Sequence, residues 1–377
     1  MKKKLLFVVE TVGGGVRKHV LQLIDGLDPD LFEIHLIYGP RFDLVFAARR
    51  EELAKRIDLI YMPELVRSIS PKQDLAAIAK TCKIIRRLKP DIVHCHSSKG
   101  GIIGRIAAKL EYVPKVFYTP HAYAFDAPEF SAKKRQLFVL IERWASRLAT
   151  TRTFNVSEGE FHNALAHHID KPEKFTVIAN GLPDVPLLTR NESRTALGLD
   201  GIVPKDAPVV GVAAWLIERK GAMTFMEITK RVVAERTNVH FVYVGEGDLA
   251  EKARQFVESN GLESNVHLLP YRKDAALLVP AFDVYLLASL YEGMPYSLVE
   301  ALRAGVQIAA TKTTGNDEVV IPGVNGELFP VGDAEQGAQT VNRLLDHPLD
   351  HEQVRKTFLE RYTEEMMLQR ITEQYCA

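Results

Sequence analysis

At 377 residues the chain exceeds what one ordinary hydrophobic core organises, and two domains are expected. Hydrophobic residues at 46% and charged residues at 25% are values of a soluble globular protein, not of a membrane-embedded one. The 48 basic and 48 acidic residues cancel, and three scattered cysteines (Cys82, Cys95, Cys376) argue against a disulfide framework and for a reducing cytoplasm.

Lys2-Lys3-Lys4 leads into an apolar run, Leu5 to Val9, that stops at Glu10. That run is too short for a membrane span, and no secretory signal is expected. It reads as a first strand, followed by Gly13-Gly14-Gly15 and a helix over Arg17–Leu27. Three glycines let backbone approach a ligand at a helix start, or simply make a tight turn. The spacing is not that of a dinucleotide fingerprint. Asp28-Pro29-Asp30 spells a metal-binding D-x-D but sits in a polar loop away from any strand end.

Further strands are expected at Ile34–Tyr38, Leu59–Met62, Ile92–His94, Val116–Thr119, Thr153–Val156 and Thr176–Ala179, with helices such as Leu75–Leu88 and Lys133–Leu148 between them. Such alternation argues for a parallel sheet covered on both faces. His94 and His96 would point the same way from one strand, as metal ligands do. No third ligand stands nearby in sequence, so a strand end with Ser97 and Ser98 capping the next helix is the better reading. His121 follows the strand ending at Thr119, where ligand-facing residues gather. Ser157 with Glu160 fits a capping box. Lys133-Lys134-Arg135 opens a helix bearing Phe138, Leu140, Ile141 and Trp144 beside Arg143 and Arg147. Basic and aromatic residues together fit peripheral contact with an anionic membrane, and fit equally a helix burying its apolar face. Residues 1–182 hold 29 Lys+Arg against 20 Asp+Glu, the remainder 19 against 28. This asymmetry fits an anionic partner for the first half, or two halves attracting each other.

Asn180-Gly181 closes the first domain (1–182), and the proline-bearing stretch 183–207 reads as a linker. A second alternating series follows: Val209–Ala213, His240–Val244, Val266–Leu269, Val284–Leu287 and Gln307–Ala310, in a domain spanning 208–355. The charged helical end, 356–377, is expected to pack back on the first domain. Arg219 and Lys220 stand just before a helix, as diphosphate ligands or as a solvated charged loop. Gly245-Glu246-Gly247 follows the next strand, a close pass by a nucleotide or a plain turn. The run Glu292-Gly293-Met294-Pro295-Tyr296-Ser297-Leu298-Val299-Glu300 places two acids seven residues apart, one in a loop and one about two turns into a helix opened by Pro295. Free amides at that helix start bind anions. Two acceptors flanking an anion site suit a ligand that is part phosphate and part polyhydroxyl, which is the shape of a nucleotide sugar. Thr314-Gly315-Asn316 should lie beside the Glu292 loop.

Together these residues resemble the retaining GT-B glycosyltransferases of family four. The resemblance covers nearly the whole chain. It rests on Glu292 and Glu300, Lys220-Gly221, Gly13–Gly15, Asp91–Ser97, Val156-Ser157, Asn180-Gly181 and Asn325-Gly326-Glu327-Leu328-Phe329 in this order and spacing. Thr119-Pro120-His121 with the later Glu142-Arg143 helix is similar to members that build bacterial exopolysaccharide, capsule or lipopolysaccharide on lipid carriers. The resemblance implies an α/β fold of two doubly wound Rossmann-like domains with an interdomain cleft. It implies metal-independent, retaining hexosyl transfer from a nucleotide sugar, UDP being commonest, to a glycan or polyprenyl-linked glycan. Neither a cofactor nor a nucleic-acid partner is implied, and the chain would work in the cytoplasm or peripherally on the membrane's inner face.

Lys220 then looks like the residue on the donor diphosphate, Glu292 like the acid on the sugar hydroxyls, Glu300 like the acid on the ribose, and His121 like the histidine near the transferred sugar. Arg219, Gly293, Met294, Pro295, Tyr296, Ser297, Gly245 and Glu246 would complete the donor site. Gly13, Gly14 and Gly15 would meet the diphosphate or acceptor. One position departs from the pattern: Trp215 stands where many members carry arginine. Two alternatives are a nucleotide-sugar epimerase of the same architecture, which needs no acceptor, and a non-catalytic glycan or lipid-carrier binding protein that kept the fold.

Overall fold

The computed structural model describes residues 2–127 and 130–377. It holds two compact units, Met1–Asn180 with Glu365–Ala377, and Gly181–Glu364. The strands of the first are β1 (Lys3–Val12), β2 (Phe32–Phe42), β3 (Asp58–Tyr61), β4 (Ile92–His96), β5 (Lys115–Thr119), β6 (Arg152–Asn155) and β7 (Phe175–Val177). Its helices are α1 (Gly14–Gly26), α2 (Leu44–Leu53), α3 (Pro71–Leu88), α4 (Ser98–Leu110), α5 (Ala132–Ala149) and α6 (Glu158–Ala166). The second unit has β8 (Val209–Ala213), β9 (His240–Val244), β10 (Val266–Leu269), β11 (Val284–Leu287), β12 (Gln307–Thr311) and β13 (Gly326–Phe329). Its helices are α7 (Arg190–Ala196), α8 (Ala222–Glu235), α9 (Ala250–Ser259), α10 (Tyr296–Arg303), α11 (Asn316–Val319), α12 (Ala334–Asp346) and α13 (His351–Arg361). A last helix, α14 (Glu364–Cys376), returns to the first unit.

The sheets run β3-β2-β1-β4-β5-β6-β7 and β10-β9-β8-β11-β12-β13, and every ladder is parallel. Both orders reverse direction at their first strand, as in doubly wound nucleotide-binding folds. Central strands must be apolar on both faces to be covered twice. In β1, Leu5, Phe7 and Val9 enter one core while Leu6 and Val8 enter the other, all fully buried. Side chains alternate across the sheet, so one continuous apolar run feeds two cores.

Three parts of the sequence reading are refined. The 183–207 stretch is not a bare linker. Thr189 and Glu192 form a capping box that starts α7, and Arg190 and Arg194 both bind Asp283, at the start of β11, at 3.0 Å. Residues 356–377 are not one helix: α13 packs on α10, whereas α14 sets Met367, Ile371 and Tyr375 into the core of the first unit. The strand β13 went unread. It is short and opens on Gly326, where any Cβ would stand 2.3 Å from the Ile308 carbonyl oxygen.

Candidate active site

In the second unit the order reverses between β8 and β11, and ligands of such sheets bind beyond the carboxyl ends there. After β8 the chain makes a short turn, Glu218–Lys220, and then Gly221 at φ +63°. A Cβ on Gly221 would lie 1.8 Å from the Ala288 carbonyl oxygen just past β11. Glycine alone lets this loop lie on the neighbouring strand end. Leu290 N–H donates to the Arg219 carbonyl at 2.8 Å and fixes the register of the two loops.

Both cations thereby reach Glu292. Lys220 Nζ lies 2.5 Å from Oε1 and Arg219 Nη2 2.8 Å from Oε2, and Ser289 Oγ donates to Oε1 at 2.8 Å. Burial alone would raise the Glu292 pKa, but Lys220 and Arg219 hold it down at about 2. The acid's side chain is 3% exposed, whereas those of Arg219 and Lys220 are 38% and 18% exposed. The cluster therefore turns its positive side to solvent and its negative side inward.

Pro295 is the cap of α10, not its first residue, and Tyr296 begins the helix. No side chain caps the helix and its first turn carries no acid, so its positive end meets no fixed carboxylate there, although the Leu298 amide already donates to the Pro295 carbonyl at 3.2 Å. Glu300, one turn further in, is buried. Burial first, with the Glu300 and Glu292 charges adding, pushes the Tyr285 hydroxyl up. Both charges thus act on one buried phenol. Gly293, Met294, Pro295 and Tyr296 are buried, with Ser297 partly exposed. Gly315, at φ +86°, would put a Cβ 1.9 Å from the Gly293 carbonyl oxygen, so the loop after β12 does rest on the Glu292 loop. Gly245 is buried and approaches the Ala214 carbonyl equally closely, while Glu246 is exposed.

The reversal in the first unit falls between β1 and β4. Gly13 caps α1, and Gly14 adopts φ +55°. The Gly14 amide donates to Asp43 Oδ2 at 3.2 Å, and Arg17 binds the same oxygen at 2.7 Å. Asp43 also caps α2, so one carboxylate ties the glycine loop to the next crossover. Ser97 takes the cap position of α4, but its side chain makes no capping bond.

His121 sits in a turn where it and Ala122 both have positive φ, 56° and 79°. Non-glycine residues hold such angles only where the surroundings impose them. Glu160 imposes them: its carboxylate accepts the Ala122 amide at 2.5 Å and the Val156 amide at 3.0 Å. Ser157 caps Glu160 as expected, but the Glu160 carboxylate grips the His121 turn instead of reciprocating. Burial pushes the Glu160 carboxyl up to about 7.

His121 Nε2 lies 3.2 Å from His96 Nδ1, and His19 Nδ1 3.1 Å from Asn180 Oδ1. Nitrogens of His19, His96 and His121 lie within 4.8 Å of one another, the one such group among the described residues. These are the second and third imidazoles that the sequence did not place beside His96. The contacts also have a metal-free account. His96 and His121 share one hydrogen bond, His19 is oriented by Asn180, and His94 lies between Tyr375 and Thr119 hydroxyls at 2.5 and 2.8 Å. Glu10, read in the sequence only as the stop of an apolar run, is buried within β1, where desolvation raises its pKa against the pull of Arg41, Arg67 and Lys99.

A model of glycosyltransferase family 4 matches residues 13–184, and one of glycosyl transferases group 1 matches 207–347. The chain belongs to the GT-B glycosyltransferases. Among its relatives is the UDP-Gal:alpha-D-GlcNAc-diphosphoundecaprenol alpha-1,3-galactosyltransferase of Escherichia coli, 29% identical across 88% of this chain and 85% of that one. The capsular polysaccharide biosynthesis glycosyltransferase CapM of Staphylococcus aureus is 24% identical across 77% and 76%. Among solved structures, Anabaena Alr3699/HepE in complex with UDP and glucose superposes with a TM-score of 0.82, at 20% identity over the full length of both chains. The lipopolysaccharide outer core galactosyltransferase WaaB gives 0.74 at 17% identity over 98% of each. At these identities the superpositions speak for the GT-B fold. The glycosyltransferase thus gathers Arg219, Lys220, Glu292 and the α10 start at one switch point, and Gly13–Gly15, His96 and His121 at strand ends of its other unit.

Proposed function

We propose that this glycosyltransferase moves a hexosyl unit from a UDP-linked sugar to a hydroxyl of a lipid-linked or free glycan, with retention and without a metal ion, in bacterial surface-polysaccharide synthesis. The observation that carries the reading is the cluster of Lys220 and Arg219 on Glu292 in the loop that leads into α10, a helix start that no side chain caps. Cleavage of the anomeric C–O bond leaves negative charge on the departing diphosphate. Preorganised cations and amides aimed at that charge lower the barrier most. Lys220, Arg219 and the α10 amides fill that role. Glu292 stays ionised and accepts from the sugar hydroxyls, which aligns the ring. Glu300 accepts from the ribose, and the departing phosphate takes the acceptor's proton. His121, kept neutral chiefly by burial, contributes a hydrogen bond near the sugar without adding charge. The Escherichia coli relative, which transfers galactose from UDP-Gal to a GlcNAc-diphosphoundecaprenol, supports a UDP-sugar and a diphospholipid acceptor.

The test is purified enzyme with UDP-galactose or UDP-glucose and an N-acetylglucosaminyl-diphospholipid. An α-linked product and UDP released in equal amount, unaffected by EDTA, are expected. Loss of activity in EDTA restored by Mn²⁺ would refute the metal-free mechanism, and an epimerised donor without acceptor would favour the epimerase.

The acceptor side supports a peripheral membrane contact. No helix among the described residues is long and apolar enough to cross a membrane. On α5, however, Leu137, Leu140, Trp144 and Leu148 are 47–58% exposed at helical spacing, with Lys133, Lys134, Arg143 and Arg147 on the same helix. Their sequence positions follow one face of a helix. Vesicles containing anionic lipid should sediment the protein at low salt, and Leu140→Ser with Trp144→Ser should leave it in the supernatant. An intact protein that never sediments would contradict the contact.

A further inference from the structure

Trp215, the departure from the family pattern, lies two residues beyond β8, and Tyr271 two residues beyond β10. Their rings stack at an interplanar angle of 11° with centroids 5.7 Å apart, although Trp215 is 44% and Tyr271 40% exposed. Both backbones are pinned to the end of β9, the strand between. Tyr243 OH donates to the Trp215 carbonyl at 3.1 Å, Leu216 N–H to the Glu246 carbonyl at 2.8 Å, and Tyr271 N–H to Glu246 Oε1 at 3.4 Å. The result is a held pair of flat apolar faces left in water, above the half of the sheet formed by β8, β9 and β10. The cations sit at the other boundary of β8, against the loop after β11.

A nucleoside diphosphate is a flat aromatic group joined through a sugar to a diphosphate. We propose that the Trp215–Tyr271 stack is the platform on which the donor's nucleobase lies, resting on the nucleotide-sugar reading above. Stacking on aromatic side chains serves any base, because every base has a π-face. A ring pair already stacked, on backbones held by hydrogen bonds, gives up less freedom when the base arrives than two loose side chains would. The platform therefore supplies affinity, and the choice of base falls to polar groups at its edge, of which exposed Glu246 is the one in hand.

The chain has two tryptophans, so Trp144→Phe leaves Trp215 as the sole reporter. In that variant, saturating UDP should change tryptophan emission and inorganic pyrophosphate should not. By calorimetry, Trp215→Ala should weaken UDP about tenfold or more, leave pyrophosphate within about twofold, and regain UDP affinity as Trp215→Phe. In transfer, Trp215→Ala should raise KM for the nucleotide sugar while kcat stays within about twofold, as expected for binding shared by ground and transition states. Undiminished UDP affinity in Trp215→Ala would overturn the platform and leave the donor site at Lys220 standing. So would an emission response to UDP-glucose with none to UDP, which would assign the rings to the sugar. Failure of every nucleoside diphosphate to bind the unaltered chain would overturn the donor reading with it.

Discussion

Glu292→Ala should lower transfer by at least about 10³-fold while the protein stays folded. The carboxylate does two things at once. It orients Lys220 and Arg219 in the loop after β8, and in the proposed reaction it offers its oxygens to the sugar ring. Loss of cation alignment alone costs roughly 10²–10³, and a misplaced ring costs about 10² more. Truncating one member of a buried ion pair normally destabilises strongly, because the partner is left buried and charged. Here the partners are partly exposed and regain water, so the cost to folding is small beside the cost to catalysis. The check is steady-state transfer beside a melting curve. Activity within tenfold of the unaltered enzyme, at unchanged melting temperature, would remove Glu292 from the site.

The second large effect is acid destabilisation of the first unit. Burial holds His19 down at about 4 and drives His94, His96 and His121 well below 6.5. Between those values and 6.5 the folded chain binds fewer protons than the unfolded chain. Stability from these groups is therefore fully present above pH 6.5 and is lost as pH falls toward 4. Each histidine contributes up to about 1.4 kcal/mol per pH unit. Glu160, Glu10 and Asp126 pull the other way, since their raised values mean the folded state holds protons longer. Of these, Glu160 opposes across the window from about 7 down to the ordinary carboxylate range. The four histidines outweigh it, and the net slope should be roughly 2–4 kcal/mol per pH unit. Urea titrations at pH 7.5, 6.5 and 5.5 should show the midpoint falling steeply below 6.5, with proton uptake on unfolding. A flat or rising midpoint would mean the histidines are charged in the fold.

The sheets were legible because β1, β8, β9 and β11 are apolar runs bounded by turns, which only burial on both faces explains. β13 was not, because a four-residue strand that opens on glycine and carries Glu327 has neither a run nor an alternation. The stretch 183–207 was misread because its prolines drew attention away from Thr189 and Glu192, a local signal that names a helix start. Family resemblance singled out Lys220 and Glu292 as candidates, but their direct ion pair was not legible, because it depends on β8 lying beside β11. The histidine cluster was hidden for the same reason. His19 comes from α1, His96 from β4 and His121 from the turn after β5, and only the strand order brings them together. Glu160 shows a subtler loss: the capping spacing identified the right residue, but its carboxylate holds the His121 turn, a long-range contact that sequence spacing does not encode.

The most direct test of the Lys220 assignment is calorimetric titration of UDP into the unaltered enzyme and into Lys220→Ala. A charged hydrogen bond to the diphosphate is worth about ten- to a hundredfold in affinity. A loss of that size with the fold intact is the expected result. Equal affinity in both proteins would contradict the claim that this lysine, poised on Glu292, holds the leaving group.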